Sequence, residues 1–169
     1  MSSDVDVQLP SHTEPRPGLR IIVDDLSGPE VAALLTQHLA EMHDNSPACS
    51  VHALDLDALR GPEVTFWSAW EDGELAGCAA LKELAPAHGE IKSMRTATHR
   101  TGRGIASVLL NHLTAEAGAR GYQRLSLETG TADYFAPAQR LYARHGFELC
   151  APFADYVEDP YSVFMTRVL

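Results

Sequence analysis

Near the middle of the chain the sequence reads HRTGRGIASVLLNHL, which places glycine and positive charge directly before a helical pattern. Gly102 and Gly104 are followed by apolar residues at helical spacing over residues 105–113. Glycine lets the backbone approach a ligand closely, and the first N–H groups of a helix have no partner within it. The helix dipole and the side chains of Arg100 and Arg103 add attraction for an anion. The stretch therefore predicts a phosphate-binding loop.

Other assignments of this loop fit less well. A Walker loop needs a Lys-Ser/Thr pair after its last glycine, and none follows Gly104. A dinucleotide fingerprint needs a third Gly or Ala where Ser107 stands, and here the loop comes after several strands and a helix. A helix start with no ligand is disfavoured, because two glycines at such a junction cost stability without a use.

The elements around the loop alternate between strand-like and helix-like patterns in the order β–α–β–β–β–α–β–α–β–β. This order predicts one α/β domain with mixed strand directions. The first helix has Ser27 as its N-cap and ends near residues 43–47, and Asp72-Gly73 is the centre of a hairpin turn. The predicted strands are 19–26, 64–70, 75–84, 90–97, 122–130, 147–153 and 161–169, and the later helices are 105–120 and 133–145, the second of which is expected to stop at Gly146.

Charge and composition exclude several classes of protein. The formal net charge of −10 argues against broad nucleic-acid binding, which needs a basic surface. No apolar run approaches the ~20 residues that span a bilayer, and residues 1–18 lack the pattern of a signal peptide and predict a disordered leader before a domain at 19–169. Three widely spaced cysteines indicate free thiols and the cytoplasm.

Two segments resemble motifs of the GCN5-related N-acetyltransferases (GNAT superfamily), and SLETG at 126–130 and PFADYVEDP at 152–160 resemble its subgroup of small bacterial acetyltransferases. Residues 101–106, TGRGIA, resemble the family's motif A, Gln/Arg-x-x-Gly-x-Gly/Ala, and LYARHGFEL at 141–149 resembles its Leu-Tyr-x-x-x-Gly-Phe segment. The resemblance covers residues 19–169. It implies a mixed sheet of about seven strands flanked by helices, with two parallel strands splayed apart to form an acetyl-CoA cleft. Thr101 departs from the Gln or Arg of the motif, which leaves the role of each arginine open.

The resemblance also implies where acetyl-CoA binds. The backbone of Met94, Arg95 and Thr96 would pair with the pantetheine arm as an added strand does. A backbone N–H near Met94 or Arg95 would polarise the thioester carbonyl. The pyrophosphate would bind at Thr101, Gly102, Arg103, Gly104, Ile105, Ala106 and Ser107.

Three residues are candidates for proton transfer to and from the substrates. By resemblance, Glu90 is the general base that takes a proton from an amine; the alternative is a solvated carboxylate at a strand end. Glu128 is the second candidate, because strand alternation turns it away from the face of Leu125 and Leu127. Tyr142 matches the family tyrosine that protonates the leaving thiolate, and core packing is its alternative.

The remaining polar residues have weaker assignments. His38 and His112 lie on apolar helix faces and are predicted core histidines, and Cys49-x-x-His52 lacks the second pair that a zinc site needs, so no metal is expected. Residues 43–52 are predicted to cover the substrate. Arg95 binds an acceptor carboxylate or is simply solvated.

The sequence thus predicts an acetyl-CoA-dependent N-acetyltransferase that acts on a primary amine of a small molecule. The alternative is a non-catalytic acyl-CoA-binding sensor or scaffold. No membrane or nucleic-acid partner is expected, and the late strands are where a homodimer would form, although no motif specifies one.

Overall fold

The computed structural model describes residues 16–53 and 55–169. Its centre is a seven-stranded sheet in the order β1-β2-β3-β4-β5-β7-β6. Neighbouring strands are antiparallel except β4 and β5, which are parallel. The predicted leader falls largely on residues 1–15, outside the described residues. The strands are β1 Leu19–Val23, β2 Val64–Glu71, β3 Glu74–Ala85, β4 His88–Thr96, β5 Arg124–Gly130, β6 Glu148–Cys150 and β7 Ser162–Val168.

Four α-helices flank the sheet. They are α1 Pro29–Asn45, α2 Leu56–Leu59, α3 Ile105–Ala119 and α4 Ala136–Arg144, the last preceded by a 3₁₀ turn at Asp133–Phe135. The prediction that Ser27 caps α1 is wrong. The N-cap is Gly28, which makes no side-chain capping bond, and the Ser27 hydroxyl instead donates to Asp25 Oδ1 over 2.5 Å. Both predicted stops hold: α1 ends at Asn45, and Gly146 has a φ of +84° just after α4.

Each face of the sheet carries its own apolar cluster, so the sheet lies between two layers of helices. The face with Ile91 and Leu127 packs against α3 through Leu109 and Leu113, and α4 adds Leu141 to the same cluster. The opposite face packs against α1 and α2 through the cluster of Leu26, Val31, Leu34, Leu35, Leu59, Phe66, Leu75, Cys78, Ala80 and Ala97. Alternation along each strand produces this division.

The two parallel strands separate partway along their length, as expected for the fold. β4 pairs with β5 only from His88 to Glu90, although β4 continues to Thr96 and β5 to Gly130. On its other side β4 has a β-bulge, in which Ser93 and Met94 together oppose a single residue of β3, and Ser93 has a φ of +52°. The divergence opens a cleft between the C-terminal halves of β4 and β5.

Candidate active site

A cavity of about 720 Å³ occupies this cleft. Its walls come from the last turns of α1, residues 50–53, β4, β5, the start of α3 and the length of α4. Of the residues predicted to act on substrate or cofactor, the described structure gathers all but one along this cavity. They are Glu90, Met94, Arg95, Thr96, Thr101, Gly102, Gly104, Ile105, Ala106, Ser107, Glu128 and Tyr142. The exception is Arg103, which is exposed and does not line the cavity.

The loop at residues 101–104, called the glycine loop from here on, has the backbone that the sequence predicted. Gly102 and Gly104 have φ values of +75° and +81°, which strain any residue that has a side chain. No protein atom lies within 4 Å of a Cβ built at either glycine, so the backbone conformation requires them and packing does not. Gly104 is the N-cap of α3 and makes no side-chain capping bond. Ile105, Ala106 and Ser107, whose N–H groups have no partner within the helix, line the cavity.

The prediction that Arg100 attracts the anion is wrong. Its side chain is buried, and it donates to Glu71 Oε2 over 2.6 Å and to Glu74 Oε2 over 2.8 Å. These two carboxylates neutralise the guanidinium and raise its pKa further. Arg100 thus connects the β2–β3 hairpin to the glycine loop. Arg16 makes a second connection, because it donates to the Arg103 carbonyl and forms an ion pair with Glu71 at 2.9 Å. What the glycine loop offers an anion is therefore mainly backbone N–H groups and the helix dipole.

Glu128 and Tyr142 approach the cleft from β5 and α4. Burial raises the pKa of Glu128 to about 7, although Lys92 opposes the shift. Tyr142 is 7% exposed, and its ring packs against Phe147 at a centroid distance of 5.8 Å. Burial and the nearby Glu128 charge both raise the pKa of the Tyr142 hydroxyl, so it keeps its proton at neutral pH. No group among the described residues hydrogen-bonds this hydroxyl, which leaves it available to a ligand.

Glu90 is buried, so the predicted alternative of a solvated strand-end carboxylate is wrong. It is the third residue of β4 and 2% exposed. Lys92 Nζ donates to Glu90 Oε1 over 3.1 Å, and the Tyr156 hydroxyl donates to the same oxygen over 2.5 Å. Lys92 also donates to the Tyr156 oxygen over 2.9 Å. Glu90 therefore belongs to a closed network of buried polar groups.

Arg95 is likewise not merely solvated. Its Nη1 donates to the Tyr134 hydroxyl over 2.7 Å and forms an ion pair with Glu41 of α1. The Tyr134 hydroxyl donates in turn to Glu41. These contacts join α1, β4 and the turn after β5 along the wall of the cavity. They hold the pKa of Glu41 far down, at about 2.

Four of these partners were missed by sequence reasoning. Lys92 had a signal, because it follows Glu90 by two residues and so lies on the same face of the strand. Glu41, Tyr134 and Tyr156 are distant in sequence and carry no local motif. Only the packing of α1, the turn after β5 and the segment before β7 brings them to β4.

The comparison with known families settles the class of this fold. The model of the acetyltransferase (GNAT) family matches residues 31–147, more than half of the chain. The chain belongs to the GNAT family of acetyltransferases. An uncharacterized N-acetyltransferase of Bacillus subtilis (strain 168), YsnE, is 57% identical over 151 residues, which cover 89% of this chain and 100% of that protein. This membership favours an enzyme over the predicted alternative of a non-catalytic binding module.

Solved structures agree with this GNAT fold. A crystal structure described as an acyl-CoA N-acyltransferase from Klebsiella pneumoniae has a TM-score of 0.73 and 28% identity, covering 89% of this chain and 97% of that one. A GNAT family acetyltransferase from Elizabethkingia anophelis, crystallised with acetyl-CoA bound, has a TM-score of 0.68 and 18% identity, covering 91% of this chain and 100% of that one. GNAT acetyltransferases use acetyl-CoA, and a helix start with two glycines at positive φ has the chemistry to bind the pyrophosphate of that cofactor.

The histidines and cysteines of this GNAT protein do not form a metal site in the part of the chain that is described. His38 is buried on α1 and lines the cavity, and His112 packs edge-on against Trp67 at 5.3 Å. Cys49, Cys78 and Cys150 are all free thiols. Among the described residues no helix is long and apolar enough to cross a membrane.

Proposed function

We propose that this acetyltransferase moves the acetyl group of acetyl-CoA to a primary amine of a small molecule, with Glu128 as the base and Tyr142 as the acid. The observation that carries the proposal is that both side chains line the cleft between β4 and β5, where the charge of Glu128 acts on the Tyr142 hydroxyl. One group has a pKa of about 7 and the other keeps its proton. This pairing suits a reaction that removes one proton and supplies another.

The free edge of β4 supports the proposed position of acetyl-CoA. Beyond Glu90 this edge has no neighbouring strand, so the backbone of Met94, Arg95 and Thr96 is available to pair with the pantetheine amides. Residues 101–107 would then hold the pyrophosphate at the N-terminus of α3. The bulge at Ser93 and Met94 turns the backbone at the point where an N–H would bind the thioester oxygen.

The surroundings of the two carboxylates support Glu128 over Glu90 as the base. Glu90 already accepts hydrogen bonds from Lys92 and Tyr156 on one oxygen, so these two partners occupy it. A base must take up a proton near neutral pH, and the raised pKa of Glu128 allows this. We therefore assign Glu90 a positioning role, in which it holds Lys92 and Tyr156 in place next to the reacting groups.

In the proposed reaction Glu128 takes one proton from the ammonium group, directly or through a water molecule. The neutral nitrogen attacks the carbonyl carbon of the thioester, which forms the N–C bond. Backbone N–H groups near Met94 stabilise the negative oxygen. The C–S bond then breaks, Tyr142 gives its proton to the departing sulfur, and the nitrogen, which carries two protons and a positive charge after the attack, releases one of them to solvent. The proton on Glu128 leaves to solvent, and Tyr142 regains one from solvent.

Calorimetry followed by a thiol-release assay tests the proposal. Acetyl-CoA and CoA are titrated into the protein, and the same preparation is then assayed with a panel of primary amines. We expect binding of both ligands and thiol release that depends on the amine. Binding without release from any amine would contradict transfer to amines, and absence of binding would contradict the assignment of the glycine loop.

Two further proposals concern the cellular compartment and the oligomeric state of the enzyme. Three free thiols fit a reducing compartment, so we propose the cytoplasm. We also propose a homodimer through the late strands, where Leu149 of β6 is 75% exposed and Val168 of β7 is 68% exposed. Light scattering of the purified protein checks the second proposal, and a monomer at all concentrations would contradict it.

A further inference from the structure

Two hydrogen-bond donors from opposite sides of the cleft converge on the carboxylate of Glu41. Arg95 comes from β4, and Tyr134 comes from the turn that follows β5. A guanidinium and a hydroxyl that meet on one carboxylate form a strong site for an anion. The site lines the same cavity as Glu128 and Tyr142. The protein therefore presents a carboxylate-binding pair beside the groups that carry the proposed chemistry.

The Glu41 carboxylate is more easily moved than Arg95 and Tyr134, the two residues that bind it. The Glu41 side chain is 29% exposed, against 15% for Arg95. Glu41 lies on α1, where Gln37 Nε2 holds its other oxygen over 3.1 Å at an exposed position, so the carboxylate can turn to water at modest cost. The guanidinium of Arg95 would be left largely buried, and a buried charge without a partner is costly. A second carboxylate would relieve that cost.

Arg95 also has a spare donor. Its Nε is buried without a hydrogen-bond partner among the described residues. Buried donors are normally satisfied, and one left over beside a cavity is available to a ligand. A carboxylate bound through both Nε and an Nη atom would receive the two parallel bonds that arginine favours.

From this geometry we infer that the acceptor is an amine that also carries a carboxylate, and that Arg95 and Tyr134 bind this carboxylate in place of Glu41. The inference rests on the proposed transfer to a primary amine and narrows the class of that amine. Charge balance agrees with it. Lys92 already neutralises Glu90, so an acceptor ammonium at Glu128 and an acceptor carboxylate at Arg95 give both of these groups a partner of opposite sign, while the displaced Glu41 is hydrated.

The test uses matched pairs of acceptors: free α-amino acids and their carboxamides, which differ only in the carboxylate. Thiol release at saturating acetyl-CoA gives kcat and KM for the wild-type protein and for Arg95→Gln, Glu41→Gln and Glu30→Gln. Glu30 lies on α1 in the first turn and does not line this cavity, so its variant is the matched control. Calorimetry with acetyl-CoA and a melting curve on each variant separate acceptor effects from cofactor binding and folding.

We expect the wild-type protein to prefer amino acids to their carboxamides. Arg95→Gln should lower the ratio of kcat/KM for amino acids to kcat/KM for carboxamides by about tenfold or more, since it removes bonds to a charged group. Glu41→Gln should lower KM for amino acids alone, by about threefold, because it removes a competing carboxylate. Glu30→Gln should change neither.

Two results would overturn the inference while leaving acetyl transfer intact. One is equal or better turnover of the carboxamides by the wild-type protein. The other is a rise in KM for both members of each pair in Glu41→Gln, which would mean that Glu41 binds the acceptor ammonium. If no amine of any kind gives thiol release, the proposed function is wrong, and the inference that rests on it is wrong as well.

Discussion

Glu90 and Glu128 occupy neighbouring strands, and their surroundings differ. Glu90 accepts from Lys92 and Tyr156 on one oxygen, whereas Glu128 is half-buried and desolvation raises its pKa to about 7. The Glu90 oxygen that accepts both bonds holds Lys92 in place. A carboxylate with a raised pKa can exchange a proton at physiological pH.

The pH dependence of the rate separates these two roles. Because Glu128 must be ionised to take a proton, we expect kcat/KM of the wild-type protein to rise with pH through about 7 and then level off. Glu128→Gln should lower kcat by about 10²-fold or more and abolish this rise. The measurement is thiol release between pH 5.5 and 9 with one amine.

Glu90→Gln serves as the comparison, because it removes the other carboxylate at the same cleft. It should slow the reaction by disturbing Lys92 and Tyr156 but keep the rise in kcat/KM through about pH 7. If the rise disappears in Glu90→Gln and persists in Glu128→Gln, Glu90 is the base and the proposed assignment is wrong.

The hydroxyl of Tyr142 is expected to act on the leaving sulfur. Tyr142→Phe keeps the ring that packs on Phe147 and removes only the proton donor, so kcat should fall by about 10²-fold while acetyl-CoA affinity stays constant. Tyr122→Phe is a matched control, since Tyr122 is a buried tyrosine of the same core cluster that does not line the cavity. Equal kcat values for the two variants would leave Tyr142 with packing alone.

At the scale of elements, the path of β4 decides the shape of the cleft, and Gly77 of β3 fixes that path. A Cβ at Gly77 would lie 2.8 Å from the carbonyl oxygen of Arg95 and 3.1 Å from Leu109 Cδ1. The first contact is with backbone, which cannot yield without moving β4. Gly77 therefore allows the bulged strand to approach β3 closely beside the cofactor site.

Gly77→Ala should thus move β4 at the site. We expect a loss of about 1–3 kcal/mol in the free energy of unfolding, the usual cost of overpacking, and a several-fold weaker Kd for acetyl-CoA by calorimetry. Gly118→Ala on α3 is the control, because a Cβ there meets no atom within 4 Å and alanine favours a helix. An unchanged Kd in Gly77→Ala would mean that the position of β4 does not limit cofactor binding.

At the scale of the whole molecule, a buried neutral histidine links stability to acid. Burial lowers the pKa of His38 from 6.5 to about 4, with a further contribution from Arg95. Between these values the unfolded chain takes up a proton that the folded chain does not. The stabilising contribution of neutral His38 is therefore complete above pH 6.5 and is lost as pH falls toward 4.

His38→Gln removes this proton linkage. The difference in unfolding free energy between wild type and variant should shrink by about 1–3 kcal/mol as pH falls from 7 to 4. Urea unfolding at several pH values measures it. A difference that stays constant with pH would contradict a neutral, buried His38.

The sequence by itself determined the features that depend on local geometry. The glycine loop could be predicted because positive φ values at Gly102 and Gly104 need glycine wherever they occur. The order of strands and helices followed from periodicity, and the stop after α4 followed from Gly146. Each of these properties depends on a few residues that are neighbours in the chain, so the sequence is enough to predict them.

Only the tertiary structure decided the partners of the charged side chains. Arg100 directly precedes the glycine loop and was therefore predicted to attract a phosphate, yet it pairs with Glu71 and Glu74 across the hairpin. Glu90 and Arg95 find their partners on segments that are far away in sequence. The strength of an ionic contact depends on distance and burial, and both are set when separate elements pack together. The local sequence specifies the glycine loop. The packing of the sheet and helices determines which carboxylates and which arginines remain free to contact another molecule.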